Sequence, residues 1–186
     1  FAVCGATVVL LGRDAVKTQR VRDEIARRTG NDTLTTVVAD MGDLDEVRRA
    51  ADELTGRLDR LDVLVHNAGA LTATRTESPQ GTEMTVASQV VGPFLLTSLL
   101  LDRLTEAAPG RVVTMSSGGM YSAELTVDGL EMDADSYNGT KQYALAKRAQ
   151  VTLNELWGER IDRRSVVFHA MHPGWADTPG VEASLP

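Results

Sequence analysis

The stretch ATVVLLGRDAVKTQRVRDEIARRTG, residues 6–30, sets the class of fold. Thr7–Leu11 is a short β-branched and aliphatic run between Gly5 and Gly12, and it reads as a buried strand. From Ala15 to Arg28 the spacing becomes helical, with Val16, Val21 and Ile25 as the inward face and Gly30 as the stop. A strand, a glycine turn and an amphipathic helix in this order make one βα unit, and such units stack around a parallel sheet.

The pattern continues along the chain. Thr33–Ala39 reads as a second strand, and Asp43 is placed to cap a helix from Leu44 to about Leu58. That helix carries Leu44, Val47, Ala51, Leu54 and Leu58 on one stripe. Val63–His66 is a short buried strand, followed by a helical region over residues 82–104 that Gly92-Pro93 interrupts. Arg111–Ser116 reads as a strand, Tyr143–Trp157 as a helix and Ser165–Ala170 as a last strand. There are no repeats or linkers, so residues 1–186 are expected to form one α/β domain.

Composition fits a globular protein, with 42% apolar and 24% charged residues. The net charge of −7 argues against a nucleic-acid groove, which needs a basic surface. Cys4 is the only cysteine, and no HExxH pattern occurs, so no metal site is expected. No apolar run approaches membrane-spanning length, and FAVCGATVVLL lacks the basic leader and cleavage site of a signal peptide. The expected location is the cytoplasm.

In parallel sheets ligands bind beyond the carboxyl ends of the strands. Gly12-Arg13, Asp40, Asn67-Ala68-Gly69, Ser116-Ser117 and Pro173-Gly174 all fall there. Further on, YNGTKQYALAK (137–147) contains a tyrosine four residues before a lysine twice: Tyr137 with Lys141, and Tyr143 with Lys147. Residues i and i+4 share a helix face, so either pair places an ammonium beside a phenol. Tyr137 leads into Asn138, Gly139 and Thr140, which suit a loop and a cap, whereas Tyr143 opens a run of strong helix formers. The second pair is therefore preferred, with Tyr137 left as a substrate-loop residue.

HNAG at 66–69, a strand ending in Ser116-Ser117, a YxxxK pattern and HPGWADTP at 172–179 occur in the order found in the short-chain dehydrogenase/reductase family, which the chain resembles along nearly its whole length. SSGGM at 116–120 and MHPGWADTPGV at 171–181 are similar to the retinol-dehydrogenase-like subgroup, as is the interval from Ser117 to Tyr143. The resemblance implies a Rossmann-type, doubly wound parallel sheet in three α/β/α layers. It also implies transfer of a hydride between a nicotinamide cofactor and an alcohol or carbonyl carbon of a small apolar substrate. Tyr143 is then the acid/base, Lys147 lowers its pKa and holds the nicotinamide ribose, and Ser117 steadies the substrate oxygen. Relatives carry an asparagine where Gln89 stands, as part of a water-linked proton relay. The extra methylene moves the amide by about one carbon–carbon bond.

For the cofactor, the resemblance places Arg13 at the adenosine ribose, where an arginine suits a 2′-phosphate, so NADP is expected over NAD. Asp40 falls near the adenine. Asn67, Ala68 and Gly69 allow close backbone approach, and Asn67 also suits a brace between central strands. Pro173, Gly174 and Thr178 meet the nicotinamide end, and Trp175 either walls the substrate side or packs its loop. Phe1–Cys4 looks like the tail of the family's first helix. The first strand, normally between the strands at 7–11 and 63–66, and the C-terminal part are thus expected to be missing, with weak dinucleotide binding by this chain alone. The helices at 82–104 and 143–157 lie where relatives pair into homo-oligomers. His66 and His169 are expected as core histidines, His172 is open between the two roles, Trp157 is expected in the core, and Met120 and Tyr121 either line an entrance or cover the sheet end. A non-catalytic dinucleotide sensor or scaffold is the alternative to the enzyme.

Overall fold

The computed structural model describes residues 1–174. Strand β1 (Val8–Gly12) leads through an Asp14 cap into helix α1 (Ala15–Thr29), which ends at Gly30 with left-handed backbone. Strand β2 (Leu34–Val38) pairs in parallel with β1, Val8 opposite Leu34. Asp43 caps helix α2 (Leu44–Arg57), accepting from the backbone N–H groups of Asp45 and Glu46. Strand β3 (Val63–His66) precedes a segmented helical region: α3 (Met84–Val86), a π-turn (Ala87–Val91), α4 (Gly92–Leu99) and α5 (Leu101–Thr105). Strand β4 (Gly110–Met115), helix α6 (Gly139–Arg160) and strand β5 (Val166–Met171) follow.

All strand pairs are parallel, in two sheets of order β1-β2 and β3-β4-β5. The strands at 8–12 and 63–66 do not pair with each other, as the expected strand order requires. Helix α1 packs on β1 and β2, α2 packs on α4, and α6 packs on β4 and β5. The architecture is a layered α/β fold with parallel strands alternating with helices. One apolar cluster joins the two sheets: Val37, Val47, Ala51, Leu54, Leu96 and Leu100 are buried together, with Val9 of β1 and Leu64 of β3 packed against them.

Three expectations change. Val16 is exposed rather than on the inner face of α1. It precedes Val21 by five residues, which rotates it by about 140° around the helix. The break in the 82–104 region is not a loop at Gly92-Pro93. The Gly92 N–H reaches back to the Ala87 carbonyl in a π-turn, Pro93 sits in the first turn of α4, and the helix yields instead at Leu100. Helix α6 begins at Gly139, one turn before Tyr143, because Asn138 caps it by accepting from the Lys141 N–H at 3.0 Å.

Candidate active site

The first turn of α6 sits directly on the loop after β3. A Cβ on Gly139 would stand 1.8 Å from the Thr72 carbonyl oxygen, so only glycine admits this approach. From that start, Tyr143 and Lys147 fall on one face, with the lysine Nζ 5.4 Å from the centre of the tyrosine ring. Lys147 Nζ donates to the Met115 carbonyl at 2.9 Å, which ties α6 to the carboxyl end of β4. The side chain is buried, with 3% relative exposure, and burial pulls its pKa from 10.5 down to about 8. Ser117 lies just beyond β4, where its hydroxyl caps a short turn by accepting from the Gly119 N–H at 3.4 Å.

Tyr143 differs from expectation in one respect. Its pKa is raised, because partial burial penalises the phenolate more than the nearby Ser117 hydroxyl favours it. The Lys147 cation faces the tyrosine ring and is held by Met115, so in this arrangement burial outweighs any stabilisation of the phenolate.

Gln89 sits in the π-turn and is fully buried. Its Nε2 donates to the Ala70 carbonyl at 2.7 Å, and its Oε1 has no hydrogen-bond partner among the described residues. Gly69 explains the packing here. A Cβ at that position would lie 3.1 Å from Gln89 Oε1 and 3.5 Å from Lys147 Nζ, so the glycine leaves open a small space that both polar groups face.

The remaining sequence candidates lie along the same strand ends. Arg13 is exposed just after β1. Asp40 follows β2, where one carboxylate oxygen accepts from the Gly42 N–H at 2.8 Å and shapes the turn. Asn67, Ala68 and Gly69 are exposed after β3, and Pro173 and Gly174 after β5. Thr178 and Trp175 lie outside the described residues. These residues fit a dinucleotide. Lys147 and the open backbone beside Gly69 suit the nicotinamide ribose, and the Arg13 guanidinium suits an anionic group at the other end. Among the described residues no cluster of three or more histidine, cysteine or acidic side chains is placed to hold a metal.

His66 is a buried core residue whose Nε2 meets the Thr97 hydroxyl at 2.7 Å. His169 is not: it is exposed on β5, which forms an edge of its sheet. His172 is exposed too, with Nδ1 accepting from the Gly174 N–H at 2.9 Å and Nε2 turned toward Gly118. Trp157 is part-buried, stacked between Phe94 and Phe168 with ring centres 5.2 Å and 5.7 Å away. Met120 Sδ accepts from the Ser116 hydroxyl, and Tyr121 is exposed at the sheet end.

Tyr137 does not share the Tyr143 environment. Its hydroxyl is clasped between Thr72 Oγ1 at 2.8 Å and the buried Glu83 carboxylate at 3.0 Å. Glu83 also caps α3, and its backbone N–H donates to Glu131 at 2.7 Å. Arg75 donates to the Met132 carbonyl, and Gln142 grips the same segment through the Met132 N–H and the Leu130 carbonyl. Sequence reading missed Glu83, Gln142 and Gln150. The available signal was position: Gln142, Gln150 and Asn154 lie on buried faces of α6, as the sequence-selected Lys147 does.

A family model described as short chain dehydrogenase matches residues 1–185. The chain is 35% identical over 182 residues to dehydrogenase/reductase SDR family member 12 of Homo sapiens, covering 98% of this chain and 56% of that protein. It is 30% identical over 174 residues to retinol dehydrogenase 13 of Homo sapiens, covering 94% of this chain and 53% of that protein. The chain thus spans little more than half the length of these relatives. A solved protein from Mycobacterium paratuberculosis superposes with a TM-score of 0.80 at 28% identity, covering 98% of this chain and 65% of that one. The Pseudomonas aeruginosa RhlG/NADP active-site complex shares the fold, with a TM-score of 0.78 at 23% identity, over 98% of this chain and 68% of that one. With the Ser117, Tyr143 and Lys147 cluster at the strand ends and a family match over nearly every residue, the chain belongs to the short chain dehydrogenase family.

Proposed function

We propose that the protein carrying this chain is an NADP(H)-dependent oxidoreductase that interconverts an apolar alcohol and its carbonyl compound. The observation that carries this reading is the convergence of Tyr143, Lys147 and Ser117 at one strand end, with Lys147 Nζ facing the Tyr143 ring and tied to the Met115 carbonyl at the end of β4. The nicotinamide, when bound, supplies or accepts the hydride. Tyr143 Oη gives a proton to the substrate oxygen in reduction and takes it back in oxidation. A phenol that burial keeps protonated is the form that donates during reduction. Ser117 Oγ orients the substrate oxygen and stabilises the charge that develops on it. Lys147 Nζ, fixed by Met115, holds positive charge beside the ring.

Preference for NADP rests on Arg13, an exposed cation just past β1, while the adjacent Asp14 carboxylate is engaged in capping α1. An apolar substrate is supported by exposed Tyr121 in the short turn just past β4 and by the named activity of the retinol dehydrogenase relatives. The test is turnover by the full-length protein with NADPH or NADH, against retinol, retinal and non-retinoid aliphatic and aromatic aldehydes. Turnover should favour NADPH by about tenfold or more, and Arg13→Glu should erase that preference. Tight NADPH binding with no turnover across the panel would favour the sensor reading instead.

A further inference from the structure

Between Ser117 and Asn138 the chain has only two short turns of helix, Gly118–Ser122 and Ala134–Ser136. A connection this long without regular structure is uncommon in a compact domain unless it has a task of its own. Both of its ends lie at the candidate active site: the first turn starts at Ser117, and Asn138 caps the helix that carries Tyr143. Its middle is fastened by side chains from outside the segment. Gln142, fully buried on α6, accepts from the Met132 N–H and donates from Nε2 to the Leu130 carbonyl, both at 2.8 Å. Arg75 Nε donates to the Met132 carbonyl at 3.1 Å.

The Gln142 amide thus pairs a carbonyl and the N–H two residues on, as a residue of a neighbouring parallel strand would. Met132 is held on both of its backbone groups, the N–H by α6 and the carbonyl by Arg75. Apolar packing adds to the hold, because Leu125 and Leu130 rest against the buried cluster that includes Ala146 and Ala149 of α6. Gln142 also immediately precedes Tyr143, about 100° away around the helix. One turn of α6 therefore carries the candidate acid/base on one side and the anchor of the segment on another.

We propose that Gln142 is a positioning residue: with Arg75 it clamps residues 130–132, so that the segment 123–137 stands as a fixed wall of the substrate site and sets how well bulky substrates bind. The wall role rests on the oxidoreductase reading above; the clamp does not. Gln142 touches neither substrate nor cofactor in this account. It acts on binding through the segment, while Tyr143, Lys147 and Ser117 keep the chemistry.

The test uses the full-length protein and the variants Gln142→Met, close in volume but unable to make either bond, and Arg75→Lys, which keeps a cation beside Glu77 but gives up the bond to Met132. By hydrogen exchange, the backbone amides of residues 130–132 should be protected in the wild type and exchange about tenfold faster in Gln142→Met. In steady-state turnover, Gln142→Met should raise KM about tenfold for the bulkiest aldehyde that the wild type reduces, and leave it unchanged for the smallest. Values of kcat and the KM for NADPH should stay within about twofold, because binding is lost and the chemistry is kept. Arg75→Lys should shift exchange and KM in the same directions by a smaller factor, and it decides both points if Gln142→Met does not fold. Equal exchange at residues 130–132 in wild type and variant overturns the clamp. Faster exchange with every KM unmoved, or kcat falling alike for bulky and small aldehydes, overturns the wall role. If the wild type turns over no member of the panel, the wall role falls with the oxidoreductase reading, and exchange still decides the clamp.

Discussion

Lys147 and His66 are both buried bases, and each makes stability depend on pH in a definite direction. The folded-state pKa of Lys147 is about 8 against 10.5 for a free lysine. Between those values the unfolded chain holds the extra proton, so this residue's contribution to stability improves as pH rises from about 8 to 10.5. Below pH 8 the buried cation costs about 3 kcal/mol. Lys147→Met should therefore gain roughly 1–3 kcal/mol at pH 7 in urea unfolding, less the lost bond to Met115, and should abolish turnover. The pKa of His66 is depressed from 6.5 to about 4 by burial. Its contribution is complete above pH 6.5 and is lost as pH falls toward 4, by about 3 kcal/mol in all. Replacing His66 by Gln should flatten that acid limb when urea midpoints at pH 7 and 4.5 are compared. The Tyr143–Lys147 pair was legible in the sequence because a four-residue spacing has one meaning once the segment is helical. Glu83 and Gln150 were not, since a polar letter on a buried stripe looks like a break in the pattern until its partners are seen.

Helix α6 carries both the candidate acid/base and its lysine, so the way it starts sets the site. Two residues fix that start for different reasons. Asn138 satisfies a free backbone N–H, while Gly139 leaves room for the Thr72 carbonyl. Asn138→Ala should cost about 1 kcal/mol of stability, with turnover near normal. Gly139→Ala must push helix and loop apart, and should cost about 1–3 kcal/mol and lower turnover as well. Thermal unfolding beside a turnover assay separates the two. The ranges of α2 and β3 were readable almost to the residue, because a capping aspartate and a short apolar run leave little freedom. The helical region over 82–104 was harder: glycine followed by proline signals a break, but proline in the first turn of a helix costs nothing, and the strain appears as a π-turn just before it.

Across the whole molecule, parallel pairing and alternation followed from the sequence, because β-branched runs and amphipathic helices differ in period. Strand order came from family resemblance, since a strand's neighbours leave no mark within its own residues. The two sheets are joined by side-chain packing rather than by strand pairing, and Leu100 lies fully buried in that shared cluster. Leu100→Ala should cost about 2–5 kcal/mol in denaturant unfolding, more than a truncation of the exposed Leu99. The candidate site draws on the segments that follow all five strands, so its chemistry depends on both sheets keeping their places. That chemistry is tested most directly by steady-state turnover of full-length protein carrying Tyr143→Phe or Tyr137→Phe, with NADPH and the best aldehyde of the panel. Tyr143→Phe should abolish turnover while NADPH still binds, and Tyr137→Phe, which loses only the clasp to Thr72 and Glu83, should retain most of it. Full activity in Tyr143→Phe, or loss confined to Tyr137→Phe, would contradict the assignment of Tyr143 as the acid/base.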